Sequence, residues 1–477
     1  MREDFLSVLR EAVEVAKNNA DHPSKTATIQ TESGDGIRNL QGELLDQTVG
    51  HAYKNTRYYR KKFTDARINP KKVGSIEDLV RLNPISKTTV LDNYSDFVAD
   101  GSEIVAAQFT SGTTKDRFCF YLSRREIEAR TLMNQLSFYL SEDSDRKGIM
   151  LREIGTLHGP SPVRYPMFTI PIVFYSEIPK TVNYVISELM REHYIRGTRH
   201  HVSILATNPK RVRFLARELG RRHINPRELW VRRLHHTGNY LSTSYREFCQ
   251  EIWGAVVYDA YSLAEIYGGA NECRYHTMKH FQPFVIPEVL DTATGASVKP
   301  GQEGILTLTA LYPFQDALPL IRYWTGDFVR LYNKTCECGY SGVSMVEFLG
   351  RSDFCQDFSA YLSPDAPERV ISVSKIVEEV EKFDELSSIG TSVVTSIGDI
   401  PPRLFMTSKG KGSAKVITIF VELASKVGRD RKKEIADSLK ELIEKRHERL
   451  FEELRSRIDL RISILPTGKL AQFYGKV

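Results

Sequence analysis

Apolar positions along this chain follow two periods. In short runs such as HVSILAT (201 to 207), GAVVYDAYS (254 to 262) and GILTLTAL (304 to 311) they crowd or alternate as in strands, whereas 182 to 196 and 209 to 222 space them as in helices. Up to about residue 350 the two patterns intersperse, which predicts an α/β architecture with parallel or mixed sheets. Beyond it the style changes. A helix is predicted over 431 to 458, with Ile435, Leu439, Leu442, Ile443, Leu450, Phe451 and Leu454 on one broad face, between the strand-like KVITIFVEL and LRISIL. This reads as a small α+β unit of about 120 residues, joined to the rest near GRSDF (350 to 354).

A length of 477 residues allows about two to four domains and a large core. With 41% hydrophobic and 26% charged residues the composition is that of a globular protein and excludes wholesale disorder. The 66 basic and 60 acidic residues leave +6, a mild affinity for anions that a nucleotide satisfies and that argues against a dedicated nucleic-acid surface. The first twenty residues mix acids and bases with apolar residues and lack the form of a secretion signal. No run approaches the roughly 18 apolar residues of a membrane span. Six scattered cysteines do not form a disulfide framework, so a cytoplasmic protein is expected.

Three stretches offer chemistry. In QFTSGTTKDRFCF (108 to 120), Thr110, Ser111, Thr113 and Thr114 carry hydroxyls, and Gly112 lets the backbone turn its amides to one side, an array suited to a polyphosphate. Taken alone, such a run more often makes a solvated turn, and it lacks the spacing of a P-loop. In YDAYSLAEIYGG (258 to 269), Tyr261 could stack on a base and Glu265 could hold Mg²⁺, although the pair also reads as a packing tyrosine and a surface acid. In RYWTGDFVRL (322 to 331), Asp327 follows a Thr-Gly turn and suits either a ribose diol or an Asx turn.

The order of these motifs, continued by Gly-Arg-Ser-Asp (350 to 353) and a terminal Gly-Lys, resembles the adenylate-forming (acyl-activating) enzyme superfamily, most closely its phenylacetate-CoA ligase-like branch. The likeness covers most of the chain. Residues 51 to 94 resemble the branch's N-terminal signature, residues 235 to 266 its adenine-binding turn, helix, strand and Tyr-Glu motif, and LPTGKLAQFYGKV its last segment.

That resemblance implies a large N-terminal adenylate-forming domain (1 to 351) with mixed sheets and flanking helices, and a small mobile α+β lid (352 to 477) turning about Ser352 and Asp353. It implies that Thr110, Ser111, Gly112, Thr113, Thr114 and Lys115 hold ATP phosphates, that Gly238, Asn239 and Tyr261 flank adenine, and that Glu265 binds Mg²⁺. Asp327 would take the ribose hydroxyls, Arg351 the ribose or phosphate, and Lys476 the charge that develops as a carboxylate displaces pyrophosphate. Pocket residues for the acid are expected in 155 to 168, His158 among them, and around His236 and Ala260. Aromatic or medium-sized cyclic acids follow from the resemblance.

Cys273 precedes His280 by seven positions, and Cys336 and Cys338 form a later CEC. A Cys₃His set is zinc chemistry, but one residue between cysteines is shorter than the usual two to four, and buried thiols with a surface histidine read equally. Some members of the branch carry a structural zinc here with the same Cys-to-His spacing. His276 is the competing imidazole.

The chain departs from the branch at four places. Lys115 stands at a glycine position, Ala264 replaces the hydroxyl residue before the magnesium glutamate, Tyr240 stands where glutamate is common, and 355 to 376 replaces a segment that helps line the pantetheine tunnel. The reading is therefore an ATP- and Mg²⁺-dependent ligase forming an acyl-AMP and passing the acyl group to a thiol, by default CoA. Transfer to an amine or to a carrier-protein thiol is the alternative, and a nucleotide-binding homologue without turnover the third. The expected partners are a small carboxylic acid and that acceptor, with neither nucleic acid nor membrane. The oligomeric state is left open, a homodimer included.

Overall fold

Alternating and continuous runs of Val, Ile and Leu build one eleven-stranded sheet. Its order is Val285–Leu290, Glu303–Ala310, Tyr323–Tyr332, Ser344–Arg351, Lys279–Phe281, Ala270–Glu272, Val256–Tyr261, Arg233–Thr237, Val202–Ala206, Ile149–Glu153 and Phe168–Ile172. This computed structural model describes residues 5–18, 34–110, 118–140, 148–154, 162–163, 167–175, 178–195, 197–238, 240–386, 404–410, 414–454 and 457–470. The last five strands of that order are mutually parallel and the others antiparallel, so the sheet is mixed as predicted. Val256–Tyr261 is the seam, parallel to Arg233–Thr237 on one side and antiparallel to Ala270–Glu272 on the other.

The two halves carry separate cores. Helices Pro179–Met190, Pro209–Arg221 and Thr243–Trp253 bury Val185, Leu215, Cys249 and Trp253 against Leu205, Leu234 and Val257 of the parallel strands. On the antiparallel half, N-terminal helices and the hairpin of Ile104–Phe109 and Cys119–Ser123 pack Tyr59, Phe63, Phe97 and Phe118 with Phe281, Phe314 and Tyr323.

A buried cation fastens the N-terminal segment to the strand that carries Asp327. Arg322, 1% exposed, makes a bidentate pair with Glu288 at 3.0 and 2.9 Å, and its Nη1 donates to Leu82 O at 2.6 Å. Beside it the backbone pairs directly, Ile85 N to Arg322 O at 2.9 Å and Trp324 N to Ile85 O at 2.8 Å. Burial pushes the Glu288 carboxyl up despite Arg322.

The C-terminal unit has a three-stranded sheet, Leu404–Lys409, Lys415–Glu422 and Ile458–Leu465, with an antiparallel first pair and a parallel second. Its helical crossover differs from the expected single helix, running as Arg429–Arg446 and Glu448–Leu454 with His447 between them in a non-helical conformation. Ile435, Leu439, Ile443, Leu450 and Leu454 all remain buried, which is why periodicity does not register the break. The predicted helix over 182 to 196 is also shorter, ending at Met190, because His193–Ile195 turns back on Thr198–His200 through Gly197 at φ +80°. Among the described residues no helix is long and apolar enough to cross a membrane.

Candidate active site

The carboxyl end of the seam strand gathers four of the expected site residues. Tyr261 closes that strand, and its hydroxyl donates to Asp327 Oδ2 at 2.7 Å. Asp327 lies on Tyr323–Tyr332, opposite Arg351 in the adjacent strand, whose Nη1 donates to Asp327 Oδ1 at 3.2 Å and to Thr325 O at 3.1 Å. Burial raises the Asp327 carboxyl above its usual range, against the opposing pull of Arg351 and the Tyr261 hydrogen bond, and neighbouring Glu265 raises it further. Desolvation works against the Arg351 cation, but Asp327, Tyr261, Asp353 and Glu265 outweigh it and push its pKa up. Glu265, buried, accepts from the Tyr323 hydroxyl at 2.9 Å, and its own carbonyl accepts from Gln315 at 3.0 Å.

Tyr323 was not singled out in the sequence. Strand period carries the signal, since 323, 325 and 327 share a buried face. Gly269 permits the approach of strands at this seam, because a Cβ there would stand 1.9 Å from Tyr261 O.

Thr110 sits at the mouth of the hydroxyl-rich loop. Its amide donates to Phe118 O at 2.9 Å, and its Oγ1 accepts from Phe118 N at 3.0 Å, a bond that does not use the hydroxyl proton. Ser111, Gly112, Thr113, Thr114 and Lys115 lie outside the described residues, as do Asn239, His158 and Lys476. Gly238 has φ +83°, a left-handed conformation that favours glycine at this turn. One residue earlier, the Thr237 hydroxyl meets Ser262 Oγ at 3.1 Å, tying the turn to the residue after Tyr261.

His236 and Ala260 do not share a face. His236 continues the phase of Leu234 and lies buried beside Tyr245 of the helix layer, whereas Ala260 pairs in register with Thr237. His236 Nδ1 faces Thr207 O at 3.1 Å, which fixes that nitrogen as the donor, and burial pushes the imidazole down to about 4. Thr207 follows Val202–Ala206, and its hydroxyl donates to Glu153 at the end of Ile149–Glu153. These two strands lead to connections in opposite directions along the sheet, the kind of switch point at which open α/β sheets bind ligands.

Ser352 and Asp353 occupy a short turn, Ser352–Phe354, closed by Cys355 N to Arg351 O at 3.1 Å. Past that turn the chain packs back on the large sheet. Glu303, fully buried, accepts from Arg330 at 2.8 Å, Lys375 Nζ at 3.1 Å, Arg369 N at 2.7 Å and Val370 N at 3.1 Å. Arg369 also pairs with Asp291, and Gln302 Nε2 donates to the carbonyls of Pro364 and Ala366 at 3.0 and 3.2 Å. No local motif announces this network, since its partners are some seventy residues apart.

A second constellation lies behind the seam. The ligand atoms of Cys273, His280, Cys336 and Cys338 all fall within 4.8 Å of one another. Cys273 Sγ and Cys336 Sγ are 3.7 Å apart, and Cys338 Sγ is 3.3 Å from His280 Nε2. Zinc–sulfur bonds of about 2.3 Å at tetrahedral angles separate sulfurs by about 3.8 Å, so the donor set fits that ion. His280 Nδ1 meets Ser344 Oγ at 2.8 Å, which turns Nε2 toward the thiols. His276 instead contacts Glu272 at 3.2 Å and stands outside the cluster.

Solved structures share this fold of a large mixed sheet with a small α+β unit packed beside it. A 2-hydroxyisobutyryl-CoA ligase in an open conformation, in complex with 2-HIB-AMP and CoA, superposes with a TM-score of 0.65 at 17% identity, covering 92% of this chain and 90% of that one. The same ligase in its postadenylation state with R3-HIB-AMP gives 0.61 at 18% identity over 92% and 88%.

Sequence narrows the likeness to the phenylacetate-CoA ligase-like branch. The phenylacetate-coenzyme A ligase of Thermus thermophilus is 27% identical over 334 residues, 68% of this chain and 72% of that protein. Its namesake in Pseudomonas putida is 27% identical over 312 residues, 64% of this chain and 68% of that protein. No family model matches the chain.

Proposed function

We propose that this protein activates a carboxylic acid with ATP and transfers the acyl group to the thiol of CoA. The observation that carries this is the convergence of Tyr261, Asp327, Arg351 and Glu265 on one strand seam, in a chain similar to phenylacetate-CoA ligases. A substrate carboxylate oxygen attacks the α-phosphorus of ATP, the bond to the bridging oxygen breaks and pyrophosphate leaves. A CoA thiolate then attacks the acyl carbon and AMP departs.

Each residue has a part in this reading. Asp327, held between Tyr261 and Arg351, takes the ribose hydroxyls, and the ring face of Tyr261 and the backbone at Gly238 and Asn239 flank the adenine. Thr110 with residues 111 to 115 receives the phosphates, and Lys476 meets the negative charge that builds during displacement. Glu265, oriented by Tyr323, would hold Mg²⁺, which neutralises phosphate charge when bound. The acid enters beside Glu153 and Thr207, with 155 to 168 and Ala260 around it, whereas His236, buried on the other face of the sheet, stays out of contact with it. Residues 352 to 477 form the lid, Ser352 and Asp353 its pivot, and Cys273, His280, Cys336 and Cys338 a structural zinc site. The protein works in the cytoplasm.

One observation favours a different acceptor. The segment 355 to 376, where the chain departs from the pantetheine-lining stretch, is fastened to the large sheet through the buried Arg369–Asp291 pair and Gln302, so an amine or a carrier-protein thiol is the alternative acceptor. Mass spectrometry of products formed from ATP and a panel of aromatic and cyclic acids, with CoA, amino acids or a carrier protein added, tests the assignment. Acyl-CoA products support the first reading, and amides without acyl-CoA select the second.

A further inference from the structure

The helix Thr243–Trp253, which follows the turn at Gly238, has no acidic residue in its first turn, although its N-terminus carries the partial positive charge that such residues offset. The acids come from another part of the chain. Glu378, on the helix Val373–Val380, accepts from the Thr243 amide at 3.0 Å, from the Thr243 hydroxyl at 3.4 Å and from the Tyr240 hydroxyl at 2.7 Å. Glu381, the C-cap of the same helix, accepts from the hydroxyls of Ser242 and Ser244. Ser242 is fully buried and caps the Thr243 helix by accepting from Tyr245 N. The Tyr240 ring packs against the core of the C-terminal unit, beyond the expected pivot.

We infer that Glu378 and Glu381 are positioning residues: acting through Tyr240, Ser242 and Thr243, they set the turn at Gly238, so the placement of the C-terminal unit governs how well the protein holds an adenine base. This rests on the proposed reading of that turn as the adenine side of the site. The contact is local to the base. Loosening it should weaken ligands that contain adenine and leave those that use the phosphate loop alone.

The test measures dissociation constants for ATP, adenosine and inorganic pyrophosphate in the full-length wild type and in Tyr240→Phe, Glu378→Gln and Glu381→Gln, with hydrogen exchange followed over 240 to 246. Tyr240→Phe keeps the ring in the core, so it remains informative if a glutamate variant fails to fold. The expected result is a loss of about fivefold or more for ATP and adenosine, unchanged pyrophosphate binding and faster exchange at the start of the Thr243 helix. Wild-type affinity for ATP retained by every folded variant would overturn the inference while leaving the function intact, as would an equal loss of ATP and pyrophosphate. A wild type that binds no ATP would overturn both together.

Discussion

Tyr261 and Asp327, sixty-six residues apart in sequence, meet through a 2.7 Å hydrogen bond at the end of the seam strand. The bond opposes the burial that raises this carboxyl's pKa, and so favours the ionised form of the group proposed to take the ribose. Removing it in Tyr261→Phe lets the Asp327 pKa climb further. The acidic limb of the pH profile for ATP binding should then move to higher pH, with affinity at neutral pH falling about fivefold. Titration of ATP binding between pH 5 and 8 checks this, and an unmoved acidic limb would contradict it.

Zinc should be present at about one ion per chain in protein purified without chelator, measured by elemental analysis. Cys338→Ser should abolish it. Ser344→Ala, which frees His280 Nδ1, should weaken it by about tenfold while leaving the four ligands in place.

Arg322 and Glu288 join three chain segments in a buried pair. Glu288→Gln should cost about 3–5 kcal/mol of unfolding free energy, because it leaves the guanidinium buried without its counter-charge. Urea denaturation measures it. Arg322→Met combined with Glu288→Leu should lose less than the single change.

His447 is fully buried between its two helices, and neither ring nitrogen has a partner among the described residues. Desolvation, with Lys375 and Arg446 nearby, lowers its pKa well below the usual imidazole range near 6.5. In the unfolded chain it protonates first as pH falls. Its contribution to stability is therefore whole above pH 6.5 and declines below it, by up to about 1.4 kcal/mol per pH unit. Melting curves of the wild type should fall more steeply between pH 6.5 and 5 than those of His447→Phe.

The fold class was legible in the sequence because its strands and helices obey their own periods, and the crossover of the C-terminal unit was visible in Ile435, Leu439 and Ile443. The one-residue break at His447 was not, since a buried stripe continues across it. Within the site, Asp327 and Tyr261 stood out as motifs, and His280 was named ahead of His276 from the sequence; the sheet register that brings His280 opposite Ser344 supplies the physical reason. Tyr240 was visible as an oddity without a role. Its partner Glu378 lies 138 residues away, a separation that no local pattern spans.

The central claim is acyl-adenylate formation, and ATP–pyrophosphate exchange across a panel of carboxylic acids measures it most directly. The account predicts exchange that depends on Mg²⁺ and on a particular acid, is reduced at least about a hundredfold by Asp327→Ala and is lost in Lys476→Ala with folding intact. ATP binding without exchange for any acid, or full exchange in Lys476→Ala, would contradict it.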